Sequence, residues 1–209
     1  VNTKYYMGTP LSIACEREHF DIIKLLIKNK ADINAKDECW GNSPLHKVCK
    51  NGNFKIFELL IENKSDMNLK NNNGETPLFF ACIKGHYKII KILIKNGANV
   101  NVKNYINGET PLFYTCRKGN FSIVKLLIKN KAIVNEENNN KKTPLLTACG
   151  RNHFNIVNTL IENGANVNFK GYDSPLYIVC RSTNNVPLLE LLIKNGADFE
   201  EFINLIKKN

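Results

Sequence analysis

Seven cysteines and four histidines are the residues of this chain whose types could do chemistry. Thiolates and imidazoles hold metals, thiols pair or act as nucleophiles, and imidazoles move protons. Their spacing decides against each use. Cys15, Cys49, Cys82, Cys116, Cys149 and Cys180 each follow a proline by five residues, which makes them one register position of a repeated pattern. Packed helices lie about 8–10 Å apart, whereas a disulfide needs Cα atoms about 4.4–6.8 Å apart, so these six are expected to be buried, reduced core thiols. No Cys-x-x-Cys pair occurs, and the thiols point to a reducing, intracellular and cytoplasmic setting, with the nucleus or delivery into a host cell left open. Cys39 falls outside the register beside Trp40 and is expected to be the one thiol that reacts quickly in the native state.

The histidines follow the same register, His46 two residues after Pro44 and His19, His86 and His153 nine residues after Pro10, Pro77 and Pro144. They read as turn or core residues. No pair has metal-ligand spacing, no glycine-rich phosphate loop is present, and no interior pair of carboxylates recurs. The chain is therefore read as non-catalytic, with no cofactor and no metal. Asn63-Lys64-Ser65 and Asn120-Phe121-Ser122 match glycosylation tripeptides, which a reducing compartment would leave unused.

Charge is the remaining chemical signal. The net charge of +10 and a pI near 9.2 favour acidic partners, whether peptide, nucleic acid or an anionic surface. Runs such as Lys70 to Asn73 also admit a purely compositional reading. At 43% apolar and 23% charged residues, with a mean hydropathy of -0.28, the composition is that of a folded soluble protein. Lysine interrupts every apolar run before the roughly 18–20 residues a membrane helix needs, so no membrane insertion is expected.

The elements that must position these residues are set by an internal repeat. Thr/Ser-Pro-Leu recurs at Pro10, Pro44, Pro77, Pro111, Pro144 and Pro175, at intervals of 34, 33, 34, 33 and 31 residues. The hydroxyl residues Thr9, Ser43, Thr76, Thr110, Thr143 and Ser174 suit helix N-caps, with proline at the first helical position, where no amide donor is missed. Gly52, Gly85 and Gly119 mark the end of that short helix. A second helix follows, announced by Phe20, Phe54, Tyr87, Phe121 and Phe154. Ile22, Ile23, Leu25, Leu26 and Ile27, with Lys24 and Lys28 outside them, show its apolar stripe. It ends at Gly97, Gly164 and Gly196 or at their counterparts Lys30, Lys64 and Lys131. Polar stretches such as Asn71 to Glu75 then read as hairpin-like turns.

The run from Thr76 to Asn101 carries Thr-Pro-Leu, later Leu-Ile and Gly-Ala-Asn-Val-Asn. These residues resemble the ankyrin repeat, and the likeness extends over nearly the whole chain. The resemblance implies an all-α solenoid of stacked helix-turn-helix units with projecting β-hairpin-like loops. Its expected divisions are a tail of a preceding repeat at 1–8, repeats at 9–42, 43–75, 76–109, 110–142, 143–173 and 174–198, and a C-terminal capping helix at 199–209. Val1-Asn2 matches Val100-Asn101, which suggests a further repeat upstream. In the last copy the connection from Asn168 to Pro175 is shortened, and Ser182 to Pro187 carries an extra residue.

The family likeness further implies binding on a concave face made of loop tips and outward positions late in the first helices. The loops offer Tyr5, Tyr6, Cys39, Trp40, Tyr105, Ile106, Lys142 and Tyr172. The helices offer Phe80, Ile83, Tyr114 and Arg117, with Arg17, Lys50, Lys84, Lys118, Arg151 and Arg181 expected at equivalent positions as one basic row. The leading expectation is a monomeric scaffold that holds an acidic, partly aromatic segment of another protein. The alternatives are a module for single-stranded nucleic acid, since basic grooves with aromatic platforms suit single strands, and the targeting domain of a larger enzyme or effector.

Overall fold

The structure, a computed structural model, describes residue 2 and residues 8–168, 174–182 and 185–198. Tyr5, Tyr6 and Tyr172, the expected capping helix 199–209 and most of the tail 1–8 lie outside the described residues, as do parts of the 168–175 and 182–187 connections. Twelve helices are present among the described residues, with no strand. The chain forms two compact units, Val1–Ile106 and Asn107–Asn209.

In the first unit the pairs are α1 (Pro10–Glu16) with α2 (Phe20–Lys28), α3 (Pro44–Asn51) with α4 (Phe54–Glu62), and α5 (Pro77–Lys84) with α6 (Tyr87–Lys95). The first helices pack side by side, α1 on α3 and α3 on α5. In the second unit the pairs are α7 (Pro111–Lys118) with α8 (Phe121–Lys129), α9 (Pro144–Cys149) with α10 (Phe154–Glu162), and α11 (Pro175–Ser182) with α12 (Val186–Lys194). There α9 packs between α7 and α11. Short first helices have little intrinsic stability, and their buried face supplies what propensity does not. Leu45, Val48 and Cys49 of α3, and Leu112, Phe113 and Cys116 of α7, are fully buried.

Every first helix begins at its proline, as expected. Thr9 Oγ1 accepts from the Ser12 amide at 3.3 Å and Thr143 Oγ1 from the Leu146 amide at 3.4 Å. Ser43 is served differently, its amide donating to His46 Nδ1 at 3.1 Å and its hydroxyl lying 2.8 Å from the same nitrogen. Thr76 and Thr110 have phenylalanine, Phe79 and Phe113, where Ser43 has His46, and their hydroxyls are buried without a hydrogen-bond partner. In those two repeats aromatic volume replaces a polar cap.

The second helices end in the left-handed region. Gly97, Gly164 and Gly196 have φ of 89°, 84° and 84°, and Lys30, Lys64 and Lys131 adopt 61°, 63° and 66° at the same position. A Cβ there costs about 1 kcal/mol, and a glycine gives part of that gain back through the freer unfolded chain. Each Lys→Gly change should therefore raise the melting temperature slightly. A fall for all three single variants would contradict the strain.

The asparagines Asn34, Asn68 and Asn135 that follow tie one repeat to the next within each unit. In the first unit Asn34 Oδ1 accepts from the Asp66 amide and Asn68 Oδ1 from the Asn99 amide, both at 2.9 Å. In the second, Asn135 Oδ1 accepts from the Asn166 amide at 2.9 Å, and its side-chain Nδ2 donates to the Gly164 carbonyl at 2.8 Å. Asn2 belongs to the same ladder, accepting from the Asp32 amide at 2.8 Å.

The projecting loops are turns rather than strands among the described residues, three of them closed by a backbone bond: Asp37 N–H to Asn42 O, Asn71 N–H to Glu75 O and Asn138 N–H to Lys142 O, each at 2.9 Å. A buried Asp or Asn organises them from within. Asp37 Oδ1 accepts from the Trp40 and Asn42 amides, Asn71 Oδ1 from those of Asn73 and Glu75, and Asn138 Oδ1 from those of Asn140 and Lys142. Successive loops are stitched by Asn72 N–H to Trp40 O at 2.9 Å in the first unit and Asn139 N–H to Asn107 O at 2.9 Å in the second.

All seven cysteines are free thiols. Burial pushes the thiols of Cys15 and Cys149 up to about 12, and raises those of Cys49, Cys82 and Cys116 well above the ordinary range. Cys180 departs from the expected buried ladder. It is exposed, because no described helix covers the outer side of α11 as α11 itself covers α9, and Cys39, expected to be the open thiol, is only half-exposed. A bulky thiol reagent should therefore label Cys180 first and Cys39 next, and the remaining five only on unfolding. Native labelling of Cys82 or Cys116 at the rate of Cys180 would contradict this packing.

Candidate functional site

The expected basic row is two rows. Arg17, Lys84, Lys118 and Arg151 stand seven residues after their prolines, while Lys50, Arg117 and Arg181 stand six after theirs. Adjacent residues on a helix point about 100° apart, so the two sets leave their helices at different angles, although Arg151, which lies beyond the end of α9, still lines one concavity with Arg117 and Arg181.

In the first unit Trp40, Lys50 and Phe80 line one small concavity of about 150 Å³. Trp40 is 61% exposed at a loop tip, and Phe80 is half-buried, its ring edge-on to His46 with centroids 5.8 Å apart. The charge there is partly compensated from within, since Lys47 Nζ lies 2.7 Å from Glu16 Oε2 and 3.4 Å from Asp37 Oδ2. Lys50 and Lys84 remain as exposed cations, and Arg17 is exposed at the end of α1. Ile83 is half-buried. Tyr105 and Ile106 are each 64% exposed. Tyr105 lies over the preceding loop, where a Cβ on Gly74, itself at φ 74°, would come within 2.8 Å of the ring, and Lys70 Nζ sits 5.5 Å from the ring centroid.

In the second unit Arg117, Arg151 and Arg181 surround a larger open concavity of about 480 Å³, with Lys142, Glu109 and Tyr177 also on its wall. Glu109 is 3% exposed and holds the Arg117 guanidinium in an ion pair. The Arg117 guanidinium also lies 5.2 Å from the centre of the Tyr114 ring, a cation–π distance. Lys118 and Arg151 are exposed, and Tyr114 is half-buried. Glu109 and Tyr177 were not singled out from sequence. Glu109 could have been found as the carboxylate two residues before a repeat proline, a position shared with Glu75.

The histidines tie repeats together. His86 Nε2 lies 3.3 Å from the Lys50 carbonyl and His153 Nε2 3.4 Å from the Arg117 carbonyl, so each joins the carbonyl end of one first helix to the start of the next repeat's second helix. Among the described residues no group of three or more His, Cys, Asp or Glu could hold a metal ion. No helix among them is long and apolar enough to cross a membrane.

The comparisons with known proteins agree with this architecture. The family model for ankyrin repeats matches three times, over residues 11–104, 101–171 and 136–203. The crystal structure of the human ASB11 ankyrin repeat domain superposes with a TM-score of 0.79 at 28% sequence identity, covering 91% of this chain and 85% of that one. No curated protein matches by sequence. Ankyrin repeats are generally protein–protein interaction scaffolds, and the fold is typically a non-catalytic module. On the matched repeats and the folded helix pairs alike, the chain belongs to the ankyrin repeat family.

Proposed function

We propose that the chain is a non-catalytic, monomeric scaffold that holds an acidic segment of another protein on the basic, aromatic-lined concave faces of its units. The observation that carries this reading is the placing of cations late in the first helices beside aromatic side chains: exposed Lys50 with Trp40 and Phe80 in the first unit, and half-buried Arg117, paired with Glu109, against Tyr114 in the second. Arginine and lysine at the rim of a groove steer an acidic chain into it, and the aromatic rings supply area at small entropic cost.

The test uses a fluorescent glutamate-rich peptide carrying tyrosine, with an oligothymidylate of matched charge beside it. Lys50→Glu with Lys84→Glu should weaken peptide binding at least tenfold while the helical signal is kept, because both side chains are exposed. Unchanged peptide affinity would overturn the basic-face reading. Tighter binding of the oligothymidylate, with each neutralised phosphate contributing roughly -0.7 to the slope of log affinity on log salt, would replace it with single-strand binding.

A further inference from the structure

The larger concavity of the second unit exists because one side chain is missing. Six residues after the proline, α7 presents Arg117 and α11 presents Arg181, whereas α9, packed between them, presents Gly150. Nothing in the backbone asks for glycine there. Gly150 has φ -66° and ψ -11°, ordinary right-handed values, and an added Cβ would meet Ile178 Cγ2 and the Leu146 carbonyl at 3.5 Å, normal contact distances. What the glycine leaves is a gap flanked by guanidinium groups of two different repeats.

The chemistry of the gap narrows its occupant. Arg117 is already held by the buried Glu109 carboxylate. Among the described residues neither Arg151 nor Arg181 has a carboxylate within ion-pair distance, and both are exposed toward the gap. A single carboxylate satisfies one guanidinium fork. Guanidiniums from separate repeats are better met by a tetrahedral group with three acceptor oxygens and a charge of about -1.5 to -2, which is a phosphoryl group. Beside the polar Glu109, Lys142 and Thr147, the wall offers an apolar and aromatic part: Leu146, Ile178 and the ring of Tyr177. A volume of about 480 Å³ falls within the range of sites that take small organic groups and exceeds what a bare oxyanion fills.

We propose that this concavity is a subsite for a phosphotyrosine side chain of the bound protein, its ring against Leu146, Ile178 and Tyr177 and its phosphate between Arg151 and Arg181. The proposal rests on the reading of the concave face as protein-binding. It adds that binding through the second unit is switched on by phosphorylation of the partner.

The test follows phenyl phosphate, inorganic phosphate and benzoate by amide and arginine side-chain NMR shifts in the full chain. Phenyl phosphate should bind more tightly than either of the others and shift Gly150, Arg151 and Arg181. Gly150→Leu should fill the gap and abolish that binding with the spectrum otherwise folded, and Arg151→Gln and Arg181→Gln, at exposed positions, should each weaken it roughly tenfold, the loss of one charge-assisted bond. A phosphotyrosine peptide flanked by glutamates should bind more tightly than phenyl phosphate. Benzoate binding as tightly as phenyl phosphate would overturn the phosphoryl assignment, and inorganic phosphate doing so would overturn the aromatic one. A phosphotyrosine peptide that binds no better than phenyl phosphate would remove the protein partner as its source. Should Gly150→Leu leave phenyl phosphate binding intact while Lys50→Glu with Lys84→Glu abolishes acidic-peptide binding, the subsite falls and the basic-face reading stands.

Discussion

Phe113→Ala should destabilise the second unit by about 3–5 kcal/mol, the usual cost of emptying a fully buried phenylalanine site. Phe113 is 0% exposed in the first turn of α7. It occupies the position at which the family likeness, and His46 in this chain, place histidine, so its ring takes over the space of a capping group. The Thr110 hydroxyl is left buried and without a partner as a result. Truncation to alanine therefore loses packing and restores no polar contact. Phe113→His should be the milder change, because an imidazole there can accept from the Thr110 amide as His46 does from Ser43. Phe121→Ala, at a ring 37% exposed at the start of α8, should cost much less. Thermal unfolding of the three variants decides the matter, each kcal/mol moving the melting temperature of a unit near 100 residues by roughly 4–8 °C. Equal losses for Phe113→Ala and Phe121→Ala would mean that the first helices do not carry the core.

The fold was legible because the repeat writes each physical requirement several times. Hydroxyl, proline and leucine set the start of a helix, and the apolar stripe after Phe20 sets the buried face of the next. Lys30, Lys64 and Lys131 could be placed in the left-handed region before any coordinates, since glycine in three sister copies shows what the backbone needs there. The Asn34, Asn68 and Asn135 ladder was not legible. A side chain that bonds to the amide of a residue some 31 or 32 positions away looks, in sequence, like any other turn asparagine.

The candidate face was legible in kind and not in arrangement. Composition announced that cations would be exposed, and Lys50, Lys84, Lys118, Arg151 and Arg181 are. Their division into two directions depends on a one-residue difference in register that neighbourhood reading ignores. Gly150 is harder still, because its significance lies in what flanks it across two helices. Cys180 shows the complementary limit. It shares the register of five buried cysteines and is nonetheless exposed.

Acidification should destabilise the first unit through His46 alone by on the order of 3 kcal/mol between about pH 6.5 and pH 4. His46 is 1% exposed. Its Nε2 lies 3.1 Å from the Glu75 carbonyl, which can only accept, so that nitrogen carries the hydrogen. Its Nδ1 lies 3.1 Å from the Ser43 amide, which can only donate, so that nitrogen must offer its lone pair. Both contacts fix the same neutral tautomer, and a second proton would set N–H against N–H. Burial lowers the imidazole from its usual 6.5 to about 4; nearby Lys36 adds to the fall, while the Glu75 carbonyl and Asp37 oppose it. The folded value thus lies below the unfolded one. At intermediate pH the unfolded chain binds more protons, so this contribution is present in full above pH 6.5, is lost as pH falls through the window, and is gone below about 4. The difference between parent and variant isolates His46. His46→Gln keeps an acceptor near Ser43 and removes the titration, so although less stable at pH 7 it should lose less stability than the parent between pH 7 and pH 4 in urea unfolding. Parallel losses would show that protonating His46 costs the fold nothing, and that the imidazole is not locked between Ser43 and Glu75.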